Sequence, residues 1–208
     1  MCFSASASFG SSLVLATLGA ISIVRCRNRK AQMLAAMPFI FSIQQFAEGL
    51  VWLSANGTVS PSVGIAAANV FIFFAFVFWP VWVPFGVQRY ERNKTIFQMF
   101  FSFIGLGVGA SGLYFLINNS IVVTADCCHI VYQNVSSLAT LSYGAWLYLL
   151  ATGGSLLSSS SRIVQWFGVL LIVSYALTAV VWEYAFTSIW CFFGAIISAF
   201  IAFYSHKL

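Results

Sequence analysis

The chain has 208 residues, of which 61% are apolar and only 6% are charged. A soluble domain carries about 25% charged residues because its surface faces water, so this composition excludes a soluble fold and predicts an exterior that faces lipid. The net charge of +5 does not indicate nucleic-acid binding, because the basic residues lie in short gaps between apolar runs and form no continuous basic face.

Seven apolar runs are long enough to cross a bilayer as helices, at about 6–24, 33–53, 63–87, 95–117, 133–152, 164–182 and 185–205. A spanning helix needs about 20 apolar residues. Helices are expected because lipid offers no partner to backbone N–H and C=O groups, and the runs lack the alternation of barrel strands. The sequence predicts an all-α integral membrane protein, in which residues 1–208 form a single domain, a bundle of seven transmembrane helices. The stretch "GGSLLSSSSR" is predicted to be a flexible inner linker.

Basic residues distinguish the two sides of the predicted bundle. All nine Lys and Arg lie in the gaps after the first, third and fifth runs, or at the C-terminus. Loops rich in Lys and Arg stay in the cytoplasm, so the N-terminus is predicted outside and the C-terminus inside. The charges follow the first run and do not precede it, unlike those of a cleavable signal peptide, so this run is expected to be retained.

Small residues and prolines indicate how the third and fourth spans pack. Gly105, Gly109 and Gly112 share one face of span four, and this spacing lets two helix backbones approach closely in lipid. The face indicates either packing inside the bundle or a homo-oligomer formed through Gly105 and Gly109. Pro80 and Pro84 in span three each remove a helical hydrogen bond, which predicts a kink, either static or the hinge of a gate.

Polar side chains gather in the outer half of the bundle, around an acid within the second span. In "SIQQFAEGLVWL", a four-residue spacing places Gln44, Glu48 and Trp52 on one helical face, with Gln45 beside it. An ionised carboxylate in the bilayer costs several kcal/mol, so such a residue usually faces the bundle interior or a wet cavity. Glu48 is expected to be protonated and bonded to glutamine, or ionised against water or a cation. The predicted pocket comprises Gln44, Gln45, Glu48, Trp52, Asn69 and Glu183.

Two members of this predicted pocket have simpler interpretations. Glu48 serves either a functional site or a buried structural hydrogen bond. Glu183, between spans six and seven, is either part of the pocket or a cap that suits the positive N-terminal dipole of span seven.

The gap before span five contains adjacent soft ligands for a metal. Cys127, Cys128 and His129 suit copper or zinc, and the predicted location outside the cytoplasm also permits a disulfide. Cys2 lies on the same side at the N-terminus. Three interpretations stay open: a disulfide from Cys2 to Cys127 or Cys128, a copper or zinc site, and unpaired packing. The candidate set is Cys2, Asp126, Cys127, Cys128 and His129.

The stretches "MCFSASASF", "RCRNRK" and "QQFAEGLVW" resemble a group of small uncharacterised bacterial membrane proteins. Those proteins begin Met-Cys-Phe/Trp-Ser, carry basic residues after the first span, and have a His/Gln-Gln-x-x-Glu-x-x-x-Trp motif in the second. The likeness covers roughly the first 55 residues and points to Cys2, Gln45, Glu48 and Trp52, with Gln44 where some relatives have histidine. It implies a multi-pass protein of the bacterial inner membrane and no particular chemistry.

Three functions are compatible with these features. The intramembrane acid among amides favours a transporter or channel for a small polar solute, a cation or a proton. A second possibility is a membrane-embedded enzyme outside the cytoplasm that depends on a metal or a thiol and uses Cys2, Cys127, Cys128, His129 and Glu48. The third alternative is a structural subunit, or a scaffold that binds lipid or a partner.

Overall fold

Six helices are long and apolar enough to cross a membrane in the computed structural model of the chain, which describes residues 4–91, 95–126, 129–133 and 143–205. They are α1 (Ala5–Arg25), α2 (Gln32–Ala55), α3 (Pro61–Tyr90), α4 (Ile96–Asn118), α6 (Arg162–Val181) and α7 (Phe186–Tyr204). A shorter apolar helix, α5, covers Gly144–Leu157. Strands β1 (Val122–Asp126) and β2 (His129–Gln133) form an antiparallel hairpin. The predicted helical bundle with spans of membrane length is confirmed.

Local polar groups determine where several of these helices begin. The Ser4 hydroxyl accepts the Ala7 N–H at the start of α1. Thr95 and Gln98 form a reciprocal capping box at the start of α4, which satisfies two N–H groups that lack helical partners. Pro61 begins α3, where a missing N–H has no consequence. Gly57 adopts a positive φ of 72° in the turn between α2 and α3, a conformation that favours glycine.

Helix α2 is the most buried of the six long helices and packs against α1, α3 and α7. Two apolar clusters lie along it. One contains Leu34, Phe41, Trp79, Val83 and Phe167. The other contains Val51, Trp52, Phe71, Ile130 and Tyr132. The polar residues of α2 lie between these two clusters, so they are enclosed by apolar packing at both ends of the bundle.

One end of the bundle carries the segments with Lys and Arg, and we call it the basic end. The carboxylate of Glu91, at the end of α3, accepts hydrogen bonds from the Ser159 hydroxyl at 2.6 Å and from the Ser160 N–H at 2.9 Å. The Trp82 indole N–H donates to the carbonyl of Met33 at 3.0 Å. The segments that follow α1, α3 and α5 therefore meet at this end.

The β-hairpin covers the opposite end, which we call the hairpin end. Ile130 is fully buried, and the Tyr132 ring stacks on Phe71 with centroids 5.0 Å apart. The predicted fifth span began at residue 133, but Gln133 belongs to β2 and α5 extends to Leu157, into the stretch predicted as a linker. Strands form here because β-branched residues lie on both sides of residues 127–128, and such residues suit strands better than a helix.

A π-helical segment, Phe74–Phe78, interrupts α3 just before Pro80. The Trp79 N–H bonds to the carbonyl of Phe74, five residues back, which leaves the carbonyl of Ala75 without its usual donor. Pro80 has no N–H to replace it. Instead the Tyr148 hydroxyl of α5 donates to Ala75 at 2.8 Å. The irregularity that the prolines predict is therefore a widened turn, satisfied by a neighbouring helix.

The glycine face of α4 packs on this irregular part of α3. A Cβ at Gly105 would overlap the carbonyl oxygen of Pro80, and one at Gly112 would lie 2.5 Å from the carbonyl oxygen of Phe76. Gly109 is also buried, against Val77 and Val81. The face that carries Gly105 and Gly109 is covered within a single chain, which favours internal packing over the homo-oligomer.

We predict that Gly105→Ala lowers the free energy of unfolding by about 1–3 kcal/mol, because the added methyl forces α3 and α4 apart. Gly107→Ala on the same helix is the matched control, since nothing lies within 4 Å of its Cβ, and its stability should be unchanged or slightly raised. Thermal unfolding of both variants in detergent measures the difference. An equal loss in the two would contradict the close approach.

Candidate functional site

Helix α2 brings three polar side chains into the interior of the bundle. Gln44, Gln45 and Glu48 are all fully buried. Residues at i, i+1 and i+4 lie within one broad face of a helix, and here that face meets α1, α3 and α7. Each buried polar atom therefore has to find its partner in the protein.

Glu48 is held by groups from its own helix and from α7. Its Oε1 accepts a hydrogen bond from the Ser188 hydroxyl, and its Oε2 accepts one from the Gln45 Nε2 at 3.3 Å. Gln45 in turn accepts the Ser11 hydroxyl of α1 at 3.2 Å through its Oε1. A continuous hydrogen-bonded chain thus runs from α1 through α2 to α7.

Gln44 joins a second set of partners on the adjacent face of α2. Its Oε1 accepts the Trp79 indole N–H at 2.7 Å, and its Nε2 donates to the Cys191 sulfur at 3.2 Å. The Trp79 ring is fixed by stacking on Phe41, with centroids 4.0 Å apart. We call the residues of both sets the polar cluster: Ser11, Gln44, Gln45, Glu48, Trp79, Ser188 and Cys191.

A cavity of about 60 Å³ adjoins the polar cluster on its basic-end side. Trp79 and Cys191 belong to both, and most of the remaining lining is apolar. Thr152 and Ser198 also line it, with hydroxyls that donate to backbone carbonyls of their own helices. The indole nitrogen of Trp190, another lining residue, is buried and has no hydrogen-bond partner among the described residues. The cavity has room for a few waters, and this N–H is a donor for one of them.

Three residues of the predicted pocket lie apart from the polar cluster. Trp52 is buried one turn further along α2, in the apolar cluster beneath the hairpin, and its indole N–H has no partner among the described residues. Asn69 donates from Nδ2 to the carbonyl of Ile65 in its own helix at 2.8 Å. Glu183 is exposed in a short 3₁₀ turn before α7. The structure brings together Gln44, Gln45 and Glu48 only.

The predicted metal or disulfide site falls largely outside the described residues. Cys2, Cys127 and Cys128 lie there entirely, and the side chain of Asp126 is likewise not described. His129 begins β2, is half-buried, and pairs with Asp126 in the hairpin register. Within the described ranges, no group of three or more His, Cys, Asp and Glu is placed to hold a metal ion. The copper or zinc site and the disulfide stay predictions.

Sequence reasoning did not identify four members of the polar cluster as partners of the glutamines and Glu48. These are Ser11, Trp79, Ser188 and Cys191. The spacing of Ser188 and Cys191 by three residues at the start of α7 places them on one helical face, which is the pattern that indicates a polar seam. No local pattern distinguishes Trp79 from the other aromatic residues of span three.

The family comparison covers the whole chain. Residues 1–207 match a family described as a family of unknown function, DUF6629. The chain therefore belongs to this family. The expected membership of an uncharacterised family is confirmed, and the match extends well beyond the first two spans. No curated protein and no solved structure matches the chain.

We predict that Trp79→Phe lowers the free energy of unfolding by about 1–3 kcal/mol, because it leaves the buried Gln44 oxygen without its donor. Trp166→Phe removes the same indole N–H from a side chain that is 65% exposed, and its stability should hardly change. Chemical or thermal unfolding in detergent compares them. Equal stabilities of the two variants would show that the bond to Gln44 contributes nothing.

Proposed function

We propose that this member of the DUF6629 family is a multi-pass membrane protein that moves a proton or a small cation, with Glu48 as the group that binds it. Glu48 exchanges the proton or cation with one side of the membrane through the other residues of the polar cluster. The cavity lined by Trp79 and Cys191 provides the route toward the basic end.

Membrane insertion is supported by the outer surface of the bundle. Large apolar side chains are exposed along the helices, among them Phe103, Ile117, Trp166 and Val180. Such an exterior would be unstable in water over this area, whereas lipid accepts it. The proposed orientation puts the basic end in the cytoplasm, since segments rich in Lys and Arg remain there.

The observation that carries the proposal is a fully buried carboxylate that accepts hydrogen bonds from a hydroxyl and from a carboxamide. No Lys or Arg occurs between residues 31 and 88 or between 163 and 206, so the interior of α2, α3 and α7 carries no fixed positive charge. A hydroxyl can donate to a carboxylate or accept from a carboxylic acid. Ser188 can therefore hold Glu48 in either protonation state, as a reversible carrier requires.

The size of the cavity beside Trp79 and Cys191 limits what could pass through it. A cavity of about 60 Å³ is far smaller than the pockets of a few hundred Å³ that bind organic ligands. It suits water, a proton or a small ion. The π-helical segment Leu150–Gly154 of α5 contributes Thr152 to this cavity, and Tyr148, which lies just before that segment, donates to Ala75 in the π-helical segment Phe74–Phe78 of α3. Such segments are frequent at functional sites. Under this proposal, their irregular backbone lets the cavity change its shape.

The other two functions predict different behaviour. A metal- or thiol-dependent enzyme would use Cys2, Cys127, Cys128 and His129 together with Glu48, so its activity should be lost when those cysteines are replaced. A scaffold should form its complexes without any flux. Transport is the only one of the three that requires Glu48 for a flux across the membrane and does not require the cysteines.

We predict that proteoliposomes containing the protein carry protons down an imposed pH gradient, read by a dye trapped inside. Glu48→Gln keeps the shape and the hydrogen bonds of the side chain, so the fold should survive while flux falls by about 100-fold or more, as for loss of a proton-transfer group. The same vesicles are tested with Na⁺ and K⁺ gradients.

Glu183→Gln is the matched control, because it makes the same chemical change at an exposed carboxylate. Its flux should equal that of the unmodified protein. Undiminished flux in Glu48→Gln would remove Glu48 from the mechanism. A well-folded protein that carries neither protons nor Na⁺ or K⁺ would reject the transport function as a whole.

We further predict the orientation of the chain. Alkaline phosphatase fused after Gly57 should be active, because this turn faces away from the cytoplasm, and a green fluorescent protein at the C-terminus should fluoresce inside. The reason is the segregation of all nine Lys and Arg to one set of gaps and the C-terminus. The reverse pattern would place Glu48 in the cytoplasmic half of the membrane.

A further inference from the structure

A groove of about 810 Å³ opens on the outer face of α3 near the basic end, far from Glu48. Helix α3 provides a continuous half-buried stripe of Val81, Trp82, Phe85 and Gln88, which ends in the exposed Arg89. The start of α2 forms one wall and α4 forms the other. The groove is therefore apolar toward the middle of the bundle and polar at the basic end.

The polar end of the groove has two cations that are available to a ligand. Lys30 and Arg89 both line it and are both exposed. Within the part of the chain that the structure describes, neither forms an ion pair. Glu91 also lines the groove, but its carboxylate is bonded to the Ser159 hydroxyl and to the N–H and hydroxyl of Ser160. Hydrogen bonds to the serine loop occupy both oxygens of this carboxylate.

We propose that this groove binds one anionic phospholipid from the leaflet at the basic end. The headgroup phosphate lies between Lys30 and Arg89, with the Gln88 carboxamide as an additional donor. One acyl chain follows the apolar stripe along Val81 and Phe85. The inference depends on membrane insertion but not on the role of Glu48, so it survives a failure of the transport proposal.

Charge complementarity and the shape of the groove select this occupant. Basic pockets between membrane helices on the cytoplasmic side bind anionic lipid headgroups, and each nearby Lys or Arg contributes to the attraction. A soluble anion has no apolar part, so it would leave the apolar stripe uncovered. The Trp82 indole N–H is already bonded to the carbonyl of Met33, so its ring forms a fixed apolar wall at the depth of the lipid glycerol and upper acyl chain.

The test measures lipid binding to the full chain in detergent by native mass spectrometry, with phosphatidylglycerol and phosphatidylcholine as the probes. Lys30→Gln combined with Arg89→Gln should weaken phosphatidylglycerol binding by about tenfold or more. Arg27→Gln combined with Arg162→Gln removes two exposed charges from the same end of the protein and should change it by less than about twofold. Phosphatidylcholine should bind weakly to all forms.

Three outcomes would overturn the inference. An equal loss in both double variants would mean a diffuse attraction of the basic end and no site. Equal binding of phosphatidylcholine would mean ordinary lipid contact without headgroup recognition. Competition by glycerol phosphate at the concentrations at which phosphatidylglycerol binds would mean a soluble anion and no role for the apolar stripe.

Discussion

The structure depends on satisfying a carboxylate and two carboxamides inside an apolar bundle. A buried polar group without a partner costs several kcal/mol in an environment that offers no water. Glu48 bonds to Ser188 of α7, and Gln45 bonds to Ser11 of α1. Gln44 bonds to Trp79 of α3 and to Cys191 of α7. Because these partners lie on different helices, the rotation and height of each neighbour of α2 are set by these bonds. Apolar packing alone would restrict the rotation and the height of these helices much less.

A second constraint follows from Pro80. The missing N–H and the π turn before it leave the carbonyl of Ala75 to be satisfied from outside α3, and Tyr148 of α5 supplies the donor. The irregular backbone also presents carbonyl groups to the glycine face of α4. One proline thus determines how two other helices approach α3. Trp79, which precedes Pro80, and Tyr148 both line the cavity next to the polar cluster.

The helices were predictable because spanning length and apolar composition are local properties of the sequence. Position along each helix can be read in the same way, and it led to the grouping of Gln44, Gln45, Glu48, Asn69 and Glu183. The rotation of each helix about its axis was not predictable, because it depends on which helices are its neighbours. Asn69 therefore bonds to its own helix, and Glu183 remains exposed.

Two other features were missed for different physical reasons. The apolar run that begins at residue 133 has the composition of a span, but its first residue pairs as the end of a strand. Cross-strand pairing is not visible in hydropathy. Glu91 lies among arginines in the sequence, which suggests a solvated acid. Its burial follows from contact with the serine loop 68 residues away along the chain, which no local pattern reveals.

The two buried acids show why Glu48 is the better candidate for exchange. Glu91 accepts from the backbone N–H of Ser160 as well as from two serine hydroxyls. A backbone N–H can only donate, and the loop that carries it is anchored, so this arrangement suits a carboxylate that stays in place and joins α3 to the loop before α6. The partners of Glu48 include a hydroxyl, which can donate or accept, and a carboxamide, which can turn to present either group. Under the transport proposal, these partners would let Glu48 gain or lose a proton without breaking the bundle.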